Sequence, residues 1–378
     1  MQLFWLEMKK IFSWKLILLV VLVNVLMFKL MIEFELEYFP NGRPAGDLFK
    51  IEQEIIPKYG AQMDEAEFLD FKVTYEKKVA LADVYLANDP QAIAVGMNTY
   101  EAFRNFDYND QKKKEYHDQL FHYSEEDFPW ELQSYEWFID NFEHKENSLF
   151  VTIREASGGQ KIRFEQLLNE GKYSIYSDTV TYNFKNYKTS LAIVIFLSIA
   201  ILISPIFLRD KKANIVPLQY SAKSGRNIYR TKWLAGVVST VFITSILLTF
   251  YMSLYSTNNT SSHFDLPLYS FGWFYQWYDI TFLQYIIISV IVIFVLSILL
   301  GILTMAISTI VPNTIVLIAV QIVVMFSMIA GGAYVLVKEL MNMMYAQAFV
   351  PTMFALFTIG VFVFMRFVWK REMRRDIL

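Results

Sequence analysis

The chain has 378 residues, 55% of them hydrophobic and 17% aromatic, with a net charge of −3 and a mean hydropathy of +0.32, an apolar share above that of ordinary soluble domains. It has no cysteine, which excludes disulfides, thiolate catalysis and cysteine-ligated zinc. The charge is unevenly spread: residues 33–188 hold 30 Asp and Glu against 17 Lys and Arg, and the remainder holds 7 acids against 17 bases, as a bilayer between two populations would produce.

Residues 1–15, MQLFWLEMKKIFSWK, mix Leu3, Phe4, Ile11 and Phe12 with Glu7, Lys9, Lys10 and Lys15. They read as an amphipathic helix in the cytoplasmic headgroup layer, with Trp5 and Trp14 as anchors. Residues 16–32 form the first span. A bilayer core of ~30 Å needs about 20 apolar residues, and the run is longer than the ~7–15 apolar residues of a cleavable signal. Its N-terminus is expected inside, with Lys29 snorkelling outward near the far end.

Residues 33–188 are expected to form an outer domain large enough to bury its own core. Residues 64–86 carry helical apolar spacing through Phe68, Phe71, Tyr75, Val79 and Ala82. Asp89-Pro90 predicts an N-cap and first helical residue for a helix over 90–103. Residues 111–123 and 130–142 also read as helices. Residues 149–153 are rich in β formers, Gly158-Gly159 marks a turn, and 173–184 alternate weakly. The expected fold class is therefore an α-helical polytopic membrane protein: six transmembrane helices, an N-terminal interfacial helix and a mostly helical extracellular α+β domain.

The remaining spans are 189–208, with Pro205 as a kink point, then 233–255, 283–307, 314–337 and 350–369. Residues 256–282 hold Asn258, Asn259, Asp265 and a dense aromatic set, Tyr269, Phe271, Trp273, Phe274, Tyr275, Trp277 and Tyr278, which reads as a belt at the outer headgroups. Residues 338–349 read as a short outer or re-entrant segment, and 370–378 as a basic tail. Between the second and third spans, residues 209–232 carry Arg209, Lys211, Lys212, Lys223, Arg226, Arg230 and Lys232 against one acid, Asp210. Basic juxtamembrane loops stay on the cytoplasmic side. Arg209, Lys211, Lys212, Lys223 and Lys232, with Lys370, Arg371, Arg374 and Arg375 after the last span, are thus topology anchors that place both termini on the cytoplasmic side of the cell membrane.

Catalytic patterns are missing. The chain has no GxxxxGK[ST], GxSxG, HExxH or EF-hand run. His117, His122, His144 and His263 all lie outside the spans without metal-ligand spacing, so no metal or cofactor is expected in this chain. Asn24, Gln284, Gln321 and scattered Ser and Thr are the polar groups within the spans, and Asn24 and Gln321 read as glue between helices. Small residues, Gly301 with Ala306 and Gly331 with Gly332, allow close helix approach. Ion-coupled transporters bury ionisable groups inside the bilayer, so the energy source is expected in another subunit and the chain is not expected to be an enzyme.

The basic segment runs Asp210-Lys211-Lys212, then Leu218-Gln219-Tyr220-Ser221, then Lys223-Ser224-Gly225-Arg226, then Lys232. Together with an amphipathic entry helix, six spans and a large domain after the first, it resembles the membrane subunit of an ABC-2-type exporter of Gram-positive bacteria. One departure is Ala213-Asn214, where many such permeases have glycine. The resemblance implies a second permease half, identical or sibling, and separate cytosolic ATPase subunits that bind ATP and magnesium. It also implies that Val216, Leu218, Gln219, Tyr220 and Ser221 contact the ATPase, with Arg226 and Arg230 as charged partners or phospholipid anchors. An acidic outer domain fits cationic amphipathic peptides or antibiotics as cargo. The alternative is a membrane sensor whose outer domain binds a ligand and whose basic loop signals to a cytosolic partner.

Overall fold

The computed structural model describes residues 2–222 and 225–374. Helix α1 (Gln2–Ile11) is followed at Ser13 by α2 (Trp14–Met27), which continues through wide π turns into α3 (Glu33–Glu37). Then come α4 (Ala45–Tyr59), α5 (Glu65–Asn88), α6 (Pro90–Val95), α7 (Tyr100–Arg104), α8 (Gln111–His122), α9 (Phe128–Glu143), α10 (Lys145–Glu155) and α11 (Gly158–Asn169). The chain continues with α12 (Thr179–Ile203), α13 (Leu208–Lys212), α14 (Val216–Ser221) and α15 (Asn227–Tyr255). It ends with α16 (Phe282–Ile310), α17 (Thr314–Ser327) and α18 (Phe349–Arg374). Among the described residues, six helical stretches are long and apolar enough to cross a membrane: Trp14–Glu37, Thr179–Lys212, Asn227–Asn258, Phe282–Ile310, Thr314–Val337 and Phe349–Arg374. Such a set defines a multi-pass membrane protein.

The chain divides into two compact units, one of residues 1–38, 182–259 and 276–378, the other of 39–181 and 260–275. In the first, α12 is the buried centre: Leu191, Ala192, Val194, Ile195, Phe196 and Ile199 are all fully enclosed. Apolar side chains give helices no preference for one another over lipid tails, so small residues and hydrogen bonds set the packing. A Cβ on Gly301 of α16 would lie 2.5 Å from the Thr240 hydroxyl of α15, so only glycine admits that crossing. Asn24 donates to the Ser198 hydroxyl at 2.9 Å and accepts from the Tyr251 hydroxyl at 3.2 Å, which ties α2, α12 and α15 together. Gln321, the other expected glue residue, is buried, and its amide meets no hydrogen-bond partner among the described residues.

The second unit is held by aromatic packing. Phe68 of α5 stacks on Phe142 of α9 with centroids 4.1 Å apart, and Phe71 stacks on Tyr135 at 5.1 Å. Asp64 and Glu67 form a reciprocal capping box that starts α5. Asp89 caps the next helix as the sequence predicts, but that helix stops at Val95 because Gly96 turns left-handed. The expected β portion is absent: the described residues contain only isolated bridges, Tyr176 with Phe271 in this unit and Gln276 with Asn342 in the other. Residues 149–153 lie inside α10, where Leu149 and Ile153, one helical turn apart, bury the same face. That packing outweighs their β preference. Of the aromatic set in 256–282, Phe271 and Phe274 are core residues, whereas Trp273 is 84% exposed.

Candidate functional site

The segment from 204 to 232 owes its shape to three local features. Pro205 cannot continue the hydrogen-bond ladder of α12, and the helix stops at Ile203 before α13 resumes at Leu208. Asn214 takes φ +52° and reverses the chain. Asparagine is among the few residues besides glycine that adopt this conformation readily. Pro217 occupies the first turn of α14, the one place a helix accepts it without loss. Gly225, at φ +47°, then turns the chain into α15.

The lone acid of the segment is its hub. Asp210 is 3% exposed and forms an ion pair with Lys232, itself 3% exposed at the start of α15. It also accepts from Gln219 of α14 at 2.8 Å and from Lys10 of α1 at 3.3 Å. Lys10 in turn reaches buried Glu7 at 2.8 Å, and Lys232 donates to the Gln219 amide oxygen at 3.1 Å. Burial opposes the charge on Lys10, but Glu7 and Asp210 outweigh it and hold its ammonium above the ordinary lysine value. Four segments of chain thus meet at one carboxylate, with every oppositely charged group paired, as burial requires.

The flanking cations serve as fasteners. Arg209 donates to the Lys10 carbonyl and to the Ser13 hydroxyl, which joins the end of α1 to α13. Lys211 donates to the carbonyls of Thr309 and Val311, where α16 ends, the position at which a cation suits the helix dipole. Tyr220 donates to Glu372 of α18 at 2.8 Å, and Arg226 donates to the Met373 carbonyl. Beside them Phe207, Tyr229, Trp233 and Trp369 pack as one ring cluster, with Tyr229 5.2 Å from Phe207 and 5.1 Å from Trp369.

The expected site residues therefore differ in what they do. Arg209, Lys211, Gln219, Tyr220, Arg226 and Lys232 face other segments of the protein. Leu218 is 70% exposed on the opposite face of α14, Val216 is half-buried, and Ser221 is exposed and bonded only to the Leu218 carbonyl. Lys212, Arg230, Lys370 and Arg371 are exposed. Lys223 and Arg375 lie outside the described residues.

Three participants carry too little signal to be found from sequence. Lys10 and Glu7 are ordinary members of an amphipathic helix, and Glu372 is one acid in a basic tail. A fourth residue, Lys188, falls just before the apolar run taken as the second span. Helix α12 begins ten residues earlier, and there Lys188 is 1% exposed, donating to Tyr285 at 2.7 Å and Ser289 at 3.1 Å. Among the described residues, no cluster of acids and histidines is suited to hold a metal ion. No protein-family model, curated protein or solved structure matches this chain.

Proposed function

We propose that this chain is the permease subunit of an ATP-driven exporter of the ABC-2 type, with both termini and the 209–232 segment in the cytoplasm. In this reading it forms the translocation path with a second permease half. Cytosolic ATPase subunits bind ATP and magnesium and press on α14. The observation that carries the reading is the two-sidedness of that helix: Pro217 and Leu218 are exposed, while Gln219 and Tyr220 fasten its other face to Asp210 and Glu372. A short element gripped from the solvent side and bolted to α1, α15 and α18 behind it can pass rigid-body motion into the helices. Amphipathic peptides or antibiotics are the proposed cargo, on the strength of the acidic outer region and the apolar helices.

The test uses the full chain purified in mild detergent, with its co-purifying proteins identified by mass. An ATPase should accompany it, and Leu218→Asp should strip that ATPase away while leaving the melting temperature within a few degrees. Retention of the ATPase by the variant would refute the docking role. A co-purifying kinase with no ATPase would favour the sensor reading.

A further inference from the structure

Helix α5 is apolar on two faces. One face, with Phe68, Phe71, Ala82 and Leu86, is buried in its own unit. The other is exposed, and carries Leu69 at 59%, Val73 at 45% and Val84 at 62%, with Ala66, Ala80 and Ala87 also exposed along the same stripe. Surface helices ordinarily put polar residues on that side. An apolar stripe along a 24-residue helix, about 36 Å long at 1.5 Å per residue and broken only at its midpoint by Glu76 and Lys77, marks a contact surface.

The order of residues along the stripe is symmetric about the point between Glu76 and Lys77. Reflected through that point, Ala66 falls on Ala87, Leu69 on Val84, Val73 on Ala80 and Glu76 on Lys77. A two-fold axis through that point would lay the helix against an antiparallel copy of itself. Apolar residues would then meet apolar residues, and a carboxylate would meet an ammonium twice at the centre. The other charged residues of α5 near the stripe are engaged at home: Asp70 with Lys58, Lys72 with Glu143 and Lys78 with Glu131. Glu76 and Lys77 are exposed and take no part in an ion pair among the described residues. We propose that this face of α5 is a self-complementary docking surface for a second copy of this chain, paired antiparallel about the Glu76–Lys77 point.

The isologous form follows from the sequence symmetry, because a surface that pairs with itself must place each residue opposite its reflected partner. The alanines at 80 and 87 allow close approach at the positions facing Val73 and Ala66. One helix pair buries less than the ~1,200–2,000 Å² of a free-standing interface. Confinement of both copies to one membrane raises their effective concentration, so a smaller contact suffices. The contact stands on the surface of the outer unit alone and does not depend on the coupling role of α14.

The absence of cysteine makes the test direct. Two differently tagged full-length copies, one Val73→Cys and the other Ala80→Cys, are expressed together in membranes and treated with a mild oxidant. The doubly tagged disulfide dimer should form at least five-fold more than when either variant is expressed alone with itself, and more than with Ile162→Cys, which is even more exposed and lies on another helix. Glu76→Lys should reduce the dimer several-fold, and Glu76→Lys with Lys77→Glu should restore it. Equal cross-linking at all sites, cross-linking only to a different protein, or failure of the double reversal to restore the dimer would overturn the proposal.

Discussion

Two buried carboxylates, one in each unit, solve the same problem in different ways. Asp210, 3% exposed, is met by Lys232, Lys10 and the Gln219 amide, so two ammonium groups surround one acid. Glu52, fully buried on α4, is met by the Ser177 backbone N–H at 2.6 Å and by the ring of His263 at 3.1 Å. Glu7 and Asp210 hold the Lys10 ammonium above the ordinary lysine value, and the Asp210 network is a clamp of two cations on one acid. The Glu52 site is a clasp that joins α4 to a segment 211 residues further on. It makes residues 260–275 part of the second unit, with His263 stacked on Phe49 at 5.5 Å. A clamp of excess cations holds four segments of chain together as one piece. A clasp of one acid and one imidazole suits the static closure of a domain.

The largest expected effect breaks the clamp. Asp210→Asn leaves Lys232 buried without its counter-charge, and removing one partner of a buried pair costs about 3–5 kcal/mol. Detachment of α1 from α13 should accompany that loss, read as faster hydrogen exchange across residues 2–13 and a lower melting temperature. Asp210→Asn combined with Lys232→Met should recover part of the loss, because the stranded charge is then gone. A variant as stable as the parent would mean that solvent reaches Asp210 and that no clamp exists.

The clasp should be weaker. Glu52→Gln keeps the shape of the side chain but leaves a neutral amide to satisfy the Ser177 N–H and His263, at a cost of about 1–3 kcal/mol. Exchange should rise in 260–275 and around Ser177 and leave residues 2–13 untouched. Equal disturbance of both regions would show that the two acids do not act independently, and the contrast between them would fail.

What the sequence made legible follows from where each signal resides. Uninterrupted apolar runs define the six long helices, helical apolar spacing marks residues 64–86, and the Asp89-Pro90 pair marks a helix start through purely local chemistry. The basic segment stood out because seven cations within 24 residues are rare. Its organisation did not: Asp210 looks like an exception to the charge pattern, and only folding brings it within reach of a lysine 200 residues away. Glu52 is one of 30 acids in residues 33–188, and nothing nearby distinguishes it. Residues 149–153 were misread because apolar residues four apart, Leu149 and Ile153, serve a helix face as readily as a strand face. Lys188 was missed because apolar content defines a span by its middle, whereas the helix extends beyond it.

A second histidine sharpens the comparison at its weakest point, the role of pH. His117 has no buried acid like Glu52. It packs among Phe103, Phe106, Tyr108 and Phe121, with centroids 4.5–6.0 Å away, next to His122 and with Asp118 at 3.3 Å. Burial pushes its imidazole below the ordinary value of 6.5, against the opposing pull of Asp118. A base whose folded value is depressed is protonated first in the unfolded chain. Stability is therefore constant above about pH 7 and falls as the pH drops through 6.5, and the loss levels off once the folded form also takes the proton. Exchange at α8, corrected for its intrinsic pH dependence, should accelerate between pH 7.5 and 5.5. His117→Phe, which fits the same ring cluster, should flatten that response, with an effect smaller than either acid substitution. An unchanged slope in the variant would move the acid sensitivity of this unit to another group.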